Sequence, residues 1–141
     1  MKREILFRGI NFQREWVYGD LFHSYANDDI AIAYYREGSK TPTFDAIFPE
    51  SFGQYTGLKD KEGNKIFEGD IVHLKGNGYD GSKVGKDYYR VVTFHEGSFC
   101  LSIEDGVHHP VHTPIYEYSD SHSVVNWVVI GNVIDKPELI K

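Results

Sequence analysis

Cysteine and long apolar runs are both nearly missing from this chain of 141 residues. Because Cys100 is the single cysteine, no intramolecular disulfide can form, and nothing argues for an oxidising compartment. No stretch approaches the ~18 apolar residues of a membrane span, and residues 1–8 lack the apolar run of a secretory signal. We therefore expect a cytoplasmic protein in which Cys100 is a buried strand thiol.

Helical periodicity is also lacking, since no long segment repeats its apolar residues every three to four positions. Short runs of alternating apolar and polar residues recur instead, bounded by Gly, Asp and Asn. The 14 Gly residues indicate many turns, and the aromatic fraction of 15% is mostly Tyr and Phe, which favour strands. These features predict a mainly β fold with little helix.

The alternating runs divide into an N-terminal β-hairpin subdomain, residues 1–50, and a β core, residues 51–141, within one compact unit. The apolar run 127–133 is predicted to be a central strand, and 104–126 a long polar excursion with Pro110 and Pro114. The other predicted strands are 4–7, 15–22, 30–35, 43–48, 71–74, 88–94 and 98–103, with a short-loop hairpin at 95–97.

Basic residues are absent between Val91 and Asp135, where six acidic residues account for the formal net charge of −6. A negative protein is disfavoured as a non-specific binder of phosphate backbones. Locally, however, four basic residues and a tyrosine predict a nucleic-acid surface, which comprises Lys75, Lys83, Lys86, Tyr88 and Arg90.

A glycine pattern and a histidine cluster are the two other candidates for chemistry. Residues 76–81 read G-x-G-x-x-G, but no amphipathic helix follows to bind a pyrophosphate, so no cofactor is expected. His108, His109 and His112 are the candidate ligands of a metal site, to which Glu104 or Asp105 could contribute. No zinc-ligand spacing fits these residues, and no nucleophile motif is present, so no catalytic residue is assigned.

The segment 54–72 contains two tight turns. Asp60-Lys61-Glu62-Gly63 has the Asp and Gly positions of a type I turn. A second reversal follows at Gly69, where glycine supplies a backbone angle that other residues resist.

This segment is also the centre of a resemblance to the YopX family of phage and prophage proteins. The matching residues are the segment 54–72, then Arg3, Phe7, Arg8, Trp16 and Gly19, and finally 129–133 with Pro137, Glu138 and Leu139. The resemblance implies a phage or prophage origin, a β-rich domain and the cytoplasm of a bacterial host, but no activity. The start of a strand at 69–72, directly after a tight turn, and the hairpin that follows it also suggest an SH3-like small barrel.

Three functions remain open at this point. The first is a non-enzymatic accessory protein that binds a phage or host protein or forms a homo-oligomer. The second is a regulatory small barrel that binds nucleic acid through the basic residues. The third is a metal-dependent hydrolase that uses His108, His109 and His112.

Overall fold

The computed structural model describes residues 3–23, 29–75, 87–103 and 111–140, and they are mainly β. Short 3-10 turns occur at Pro49–Ser51, Ile115–Tyr118 and Pro137–Ile140. No helix in the described ranges has the length and apolar character to cross a membrane. The strands are β1 (Phe7–Ile10), β2 (Trp16–His23), β3 (Ile30–Tyr34), β4 (Thr43–Ala46), β5 (Gly53–Asp60), β6 (Lys65–Phe67), β7 (Asp70–Lys75), β8 (Asp87–His95), β9 (Ser98–Ile103), β10 (Val111–Pro114), β11 (Val124–Val125) and β12 (Val128–Asn132).

The chain divides into two compact units, Met1–Tyr55 and Thr56–Lys141. The first unit is an antiparallel sheet in which β1 pairs with β2, β2 with β3, and β3 with β4. One side of this sheet buries a small core of Val17, Ile32 and Ile47. The alternation of apolar and polar residues along β2 places Val17 on that side and Tyr18 on the other.

The second unit contains a five-stranded sheet in the order β10-β9-β8-β7-β12. Its main core includes Val72, Val92, Leu101 and Trp127, which are nearly inaccessible to solvent. The β8–β9 hairpin is confirmed: Glu96 and Gly97 both have positive φ angles, as a two-residue type I′ loop requires.

The expected SH3-like barrel is not confirmed. In the described residues β10 pairs only with β9 and β12 only with β7, so the five-stranded sheet has two open ends. The prediction of a central strand at 127–133 is wrong for the same reason, because β12 lies at an edge. Its apolar character reflects burial of Trp127 in the core, not a position between two partners.

The prediction of a long polar excursion over 104–126 is wrong in its second half. Val111–Pro114 pairs with β9, and Val124–Val125 runs parallel to the end of β5. Such short strands are stabilised by their tertiary partners, so their local sequence carries little strand pattern. Residues 104–110 of this excursion, and the glycine pattern at 76–81, lie outside the described residues.

The two turns predicted in the segment 54–72 are confirmed. Gly63 N–H donates to the Asp60 carbonyl at 3.0 Å, and Gly63 and Gly69 have φ angles of 87° and 90°. Gly69 N–H donates to the Val92 carbonyl at 2.7 Å, and the Asp70 carboxylate accepts from Phe67 N–H at 2.7 Å. The residues that carry the family resemblance therefore make backbone contacts that hold turns and strands together.

Candidate functional site: an aromatic sheet face

In the first unit, strands β2 to β4 carry large aromatic rings that are exposed on the side of the sheet opposite the core. Exposed fractions are 47% for Tyr18, 47% for Phe22 and 53% for Phe44. Phe22 and Phe44 contact each other edge to face, with ring centroids 5.1 Å apart. We call this surface the aromatic face; its members are Tyr18, Phe22, Ala31, Ala33, Phe44 and Ala46.

The strand register places small residues between the rings. Phe22 is paired with Ala31, and Ala31 with Ala46, so one row across the sheet reads large, small, small. In the next row Asp20 is paired with Ala33, and Ala33 with Phe44. Phe22 and Phe44 lie two strands apart, so their contact brings the two rings together across β3, above the partly buried Ala31 and Ala33.

The opposite side of β4 holds this edge strand in position. The Tyr34 hydroxyl donates to Asp45 Oδ2 at 2.7 Å, and Asn11 Nδ2 donates to the same oxygen at 3.1 Å. The hydrogen bond to Asp45, with burial as a second cause, raises the pKa of Tyr34 above its ordinary value. Because Asp45 is bound on the core side, its neighbour Phe44 is directed to the aromatic face.

The charge on the aromatic face is small and negative. Asp20 is exposed in the row with Phe44, and among the described residues it has no ion-pair partner. Apolar rings with a single carboxylate can bind an apolar protein surface by excluding water. Arg8 on β1 lies opposite Tyr18, but it is only 6% exposed and its guanidinium lies over the Trp16 ring at 4.7 Å, so it offers little positive charge to a phosphate backbone.

The residues of the predicted nucleic-acid surface are only partly described. Lys83 and Lys86 lie outside the described residues, and only the backbone of Lys75 is described. Tyr88 packs against the core of the second unit, and the Arg90 guanidinium lies over the rings of Tyr88 and Trp127 at 5.8 and 5.7 Å. Within the second unit, the ring of Tyr88 is therefore already packed, and the cation of Arg90 already lies over two rings. The nucleic-acid surface stays a prediction.

The predicted metal site is likewise incomplete, since His108 and His109 lie outside the described residues. His112 is on β10, where its Nδ1 is 2.6 Å from the Ser102 hydroxyl, and that hydroxyl is 2.6 Å from Thr93 Oγ1. The His112 ring stacks on His95, with centroids 3.9 Å apart and planes 19° from parallel.

The stacked histidines are poorly arranged to chelate one ion. The lone pairs of imidazole nitrogens lie in the ring planes, so two nearly parallel rings direct them side by side rather than to a common point. In the described ranges, no group of three or more His, Cys, Asp or Glu side chains is placed to hold a metal. The metal site therefore remains a prediction that involves residues 108 and 109.

Phe44 and the alanines of β3 are the parts of this surface that the sequence did not predict. The available signal was the run Ile30-Ala31-Ile32-Ala33, in which isoleucines alternate with alanines, so that the two sides of the strand differ in size as well as polarity. The His95–His112 stack had no such signal, because it joins β8 and β10 across the intervening β9.

The fold and the aromatic face define a small protein of mainly antiparallel sheets with an exposed apolar surface. The family model described as YopX protein matches residues 6–141, and the chain belongs to the YopX family. No curated protein matches it. Among solved structures it is similar to protein EF1440 from Enterococcus faecalis, with 20% identity and a TM-score of 0.58, over 99% of this chain and 100% of that one. At this identity the likeness shows the fold alone.

Proposed function

We propose that this chain is a non-enzymatic accessory protein, encoded by a phage or prophage, that binds a protein surface through its aromatic face in the bacterial cytoplasm. The observation that supports the proposal is the exposure of Phe22 and Phe44, whose rings contact each other across β3 on the side of the sheet opposite the core. Leaving such rings in water is unfavourable, and covering them with another apolar surface recovers that free energy.

The composition of the face favours a protein over a nucleic acid as the partner. Sheet surfaces that bind single strands combine stacking aromatics with basic residues along the backbone path. Here the residues between the rings are alanines and Asp20. A phosphate backbone on this face would meet a carboxylate, which repels it.

We expect a partner to contact the side chains on the face of the sheet and not to add a strand to its edge. β4 is the edge strand of the first unit, but it is only four residues long and lies between Pro42 and Pro49. Short edge strands flanked by proline are poor templates for another strand. A partner would therefore cover the rings rather than extend the sheet.

Site-specific photocrosslinking in the natural host cell tests the proposal. The photoreactive residue p-benzoylphenylalanine would replace Phe22, and in a control it would replace Phe94 of β8. Phe94 is a matched position because it is 56% exposed and also packs edge to face on a neighbouring phenylalanine, Phe99. We expect a discrete protein adduct from position 22 that position 94 does not form.

The adduct would be identified by mass spectrometry, and either this chain or another protein would support the proposal. An adduct with nucleic acid at position 22 would contradict it. So would equal, unspecific labelling from the two positions.

A further inference from the structure

We propose that the aromatic face binds a protein segment that carries an arginine side chain, whose guanidinium pairs with Asp20 and lies against the neighbouring rings. The inference rests on the proposed function, because it names the chemistry of the partner of the same surface. Asp20 lies on β2 two residues from Tyr18 and two residues from Phe22, so the three side chains share one side of the strand. Across β3, Asp20 lies in the same row as Phe44. One carboxylate is thus bordered by three exposed rings.

A partner that covers these rings also covers the carboxylate. Asp20 is exposed, and within the described ranges it forms no ion pair. A wholly apolar partner would take this charge out of water without a counter-charge, which is unfavourable. A partner that brings a cation to the same point keeps the gain from covering the rings and removes that cost. The formal net charge of −6 also favours the approach of a basic partner.

Arginine matches this arrangement better than lysine does. Its planar guanidinium can lie flat against an aromatic ring while its N–H groups donate to a carboxylate. It is also more weakly hydrated than an ammonium group, so it loses less on leaving water. Side chains two residues apart on a strand begin about 7 Å from each other, so a cation bound to Asp20 is close to the rings on both sides, where their π electrons attract it.

The first unit already contains one contact of this kind, at a neighbouring position. The Arg8 guanidinium lies over the Trp16 ring at 4.7 Å. Arg8 is 6% exposed and forms no ion pair with Asp20, so it does not supply the counter-charge. The cation for Asp20 therefore has to come from the partner.

A nuclear magnetic resonance titration of the isotope-labelled whole chain with two tripeptides tests the inference. Both peptides are acetylated and amidated and have leucine on each side of the central residue, which is arginine in one and citrulline in the other. Citrulline has nearly the shape of arginine but carries no charge. The protein variants are Asp20→Asn and, as the control, Glu96→Gln. Glu96 is an exposed carboxylate beside the ring pair of Phe94 and Phe99 in the second unit.

We expect the arginine peptide to shift backbone amide resonances of β2 to β4. It should bind the wild type at least about fivefold more tightly than the citrulline peptide does. Asp20→Asn should remove most of this difference, whereas Glu96→Gln should leave it intact. If Asp20→Asn does not fold, Phe44→Leu replaces it, with Phe94→Leu as the control. Leucine keeps the position apolar but has no π electrons, so Phe44→Leu should reduce the preference for arginine.

Equal affinity for the two peptides would overturn the inference, and so would a preference for arginine that survives in Asp20→Asn. Resonance shifts centred on Phe94 and Phe99, or the absence of any saturable shift with the arginine peptide, would overturn it too. In each of these cases a discrete protein adduct from position 22 would leave the proposed function standing.

Discussion

The carboxylate of Asp60 accepts a hydrogen bond from the backbone N–H of Val129 at 3.0 Å, across 69 residues of sequence. The same side chain accepts from the backbone N–H groups of Glu62 and Asn64 and from the Asn64 amide. Asp60 is 1% exposed. A buried carboxylate thus joins the turn after β5 to the edge strand β12 of the second unit.

Asp60→Asn is expected to destabilise the protein by roughly 2–4 kcal/mol, because an amide replaces one acceptor oxygen with a donor. The new N–H group would face donors that previously had an acceptor, from Val129 and from the Asn64 side chain. Urea unfolding monitored by circular dichroism measures the change. Asp120→Asn is the control, since Asp120 makes the same kind of turn, with bonds from His122 and Val124, but is exposed. Equal losses in the two variants would contradict a special role for Asp60.

Stability should also fall at acid pH through Asp60. Burial raises the pKa of this carboxyl, but the hydrogen bonds from Val129, Asn64 and Glu62 outweigh it and hold the pKa below its ordinary value. A folded-state pKa below the unfolded value of about 3.9 stabilises the protein above that pH. This contribution is lost as the pH falls through the folded-state pKa.

Urea titrations from neutral pH down to about pH 3 would show this loss. The gap in unfolding free energy between wild type and Asp60→Asn should narrow as the pH falls, because the wild-type carboxyl becomes neutral. A gap that stays constant down to the lowest pH would mean that the charge on Asp60 does not contribute.

Local chemistry predicts the turns of the segment 54–72 and the β8–β9 hairpin, because Asp and Gly positions determine turn geometry within a few residues. Strand order cannot be predicted from local chemistry in this way. The apolar content of 127–133 reports burial, and it cannot distinguish a strand with two partners from β12, which has one. The barrel expectation is not confirmed for the same reason, since closure depends on pairing between strand ends that are distant in sequence.

Only part of the aromatic face could be predicted from the sequence. The aromatic residues of β2 alternate in the sequence, and Tyr18 and Phe22 are visible as one side of a strand. Which side faces the core depends on β3 and β4, because Val17 is buried only where Ile32 and Ile47 cover it. Phe44 lies in a short segment between prolines, where no periodicity can be measured.

Gly19→Ala is expected to destabilise the first unit by at least about 2 kcal/mol. A Cβ atom at Gly19 would clash with the Ala33 carbonyl oxygen, which is backbone and cannot rotate away. The matched control is Gly131→Ala, whose Cβ would meet the flexible end of Lys136 at 2.9 Å and should cost under about 1 kcal/mol. Thermal unfolding measures both variants. Only a small loss of stability in Gly19→Ala would show that β2 and β3 can move apart at little cost in free energy.

Thr93 and Ser102 should be energetically coupled, because the Ser102 hydroxyl lies between Thr93 Oγ1 and His112 Nδ1, at 2.6 Å from each. Ser102→Ala leaves Thr93 without this partner, whereas adding Thr93→Val removes the unpaired hydroxyl as well. A double-mutant cycle should therefore give a coupling energy of about 0.5–1.5 kcal/mol. The control cycle is Ser39→Ala with Thr41→Val, an exposed hydroxyl pair 3.5 Å apart, where the two losses should simply add. Additive losses at Thr93 and Ser102 would show that this part-buried pair of hydroxyls contributes nothing as a unit.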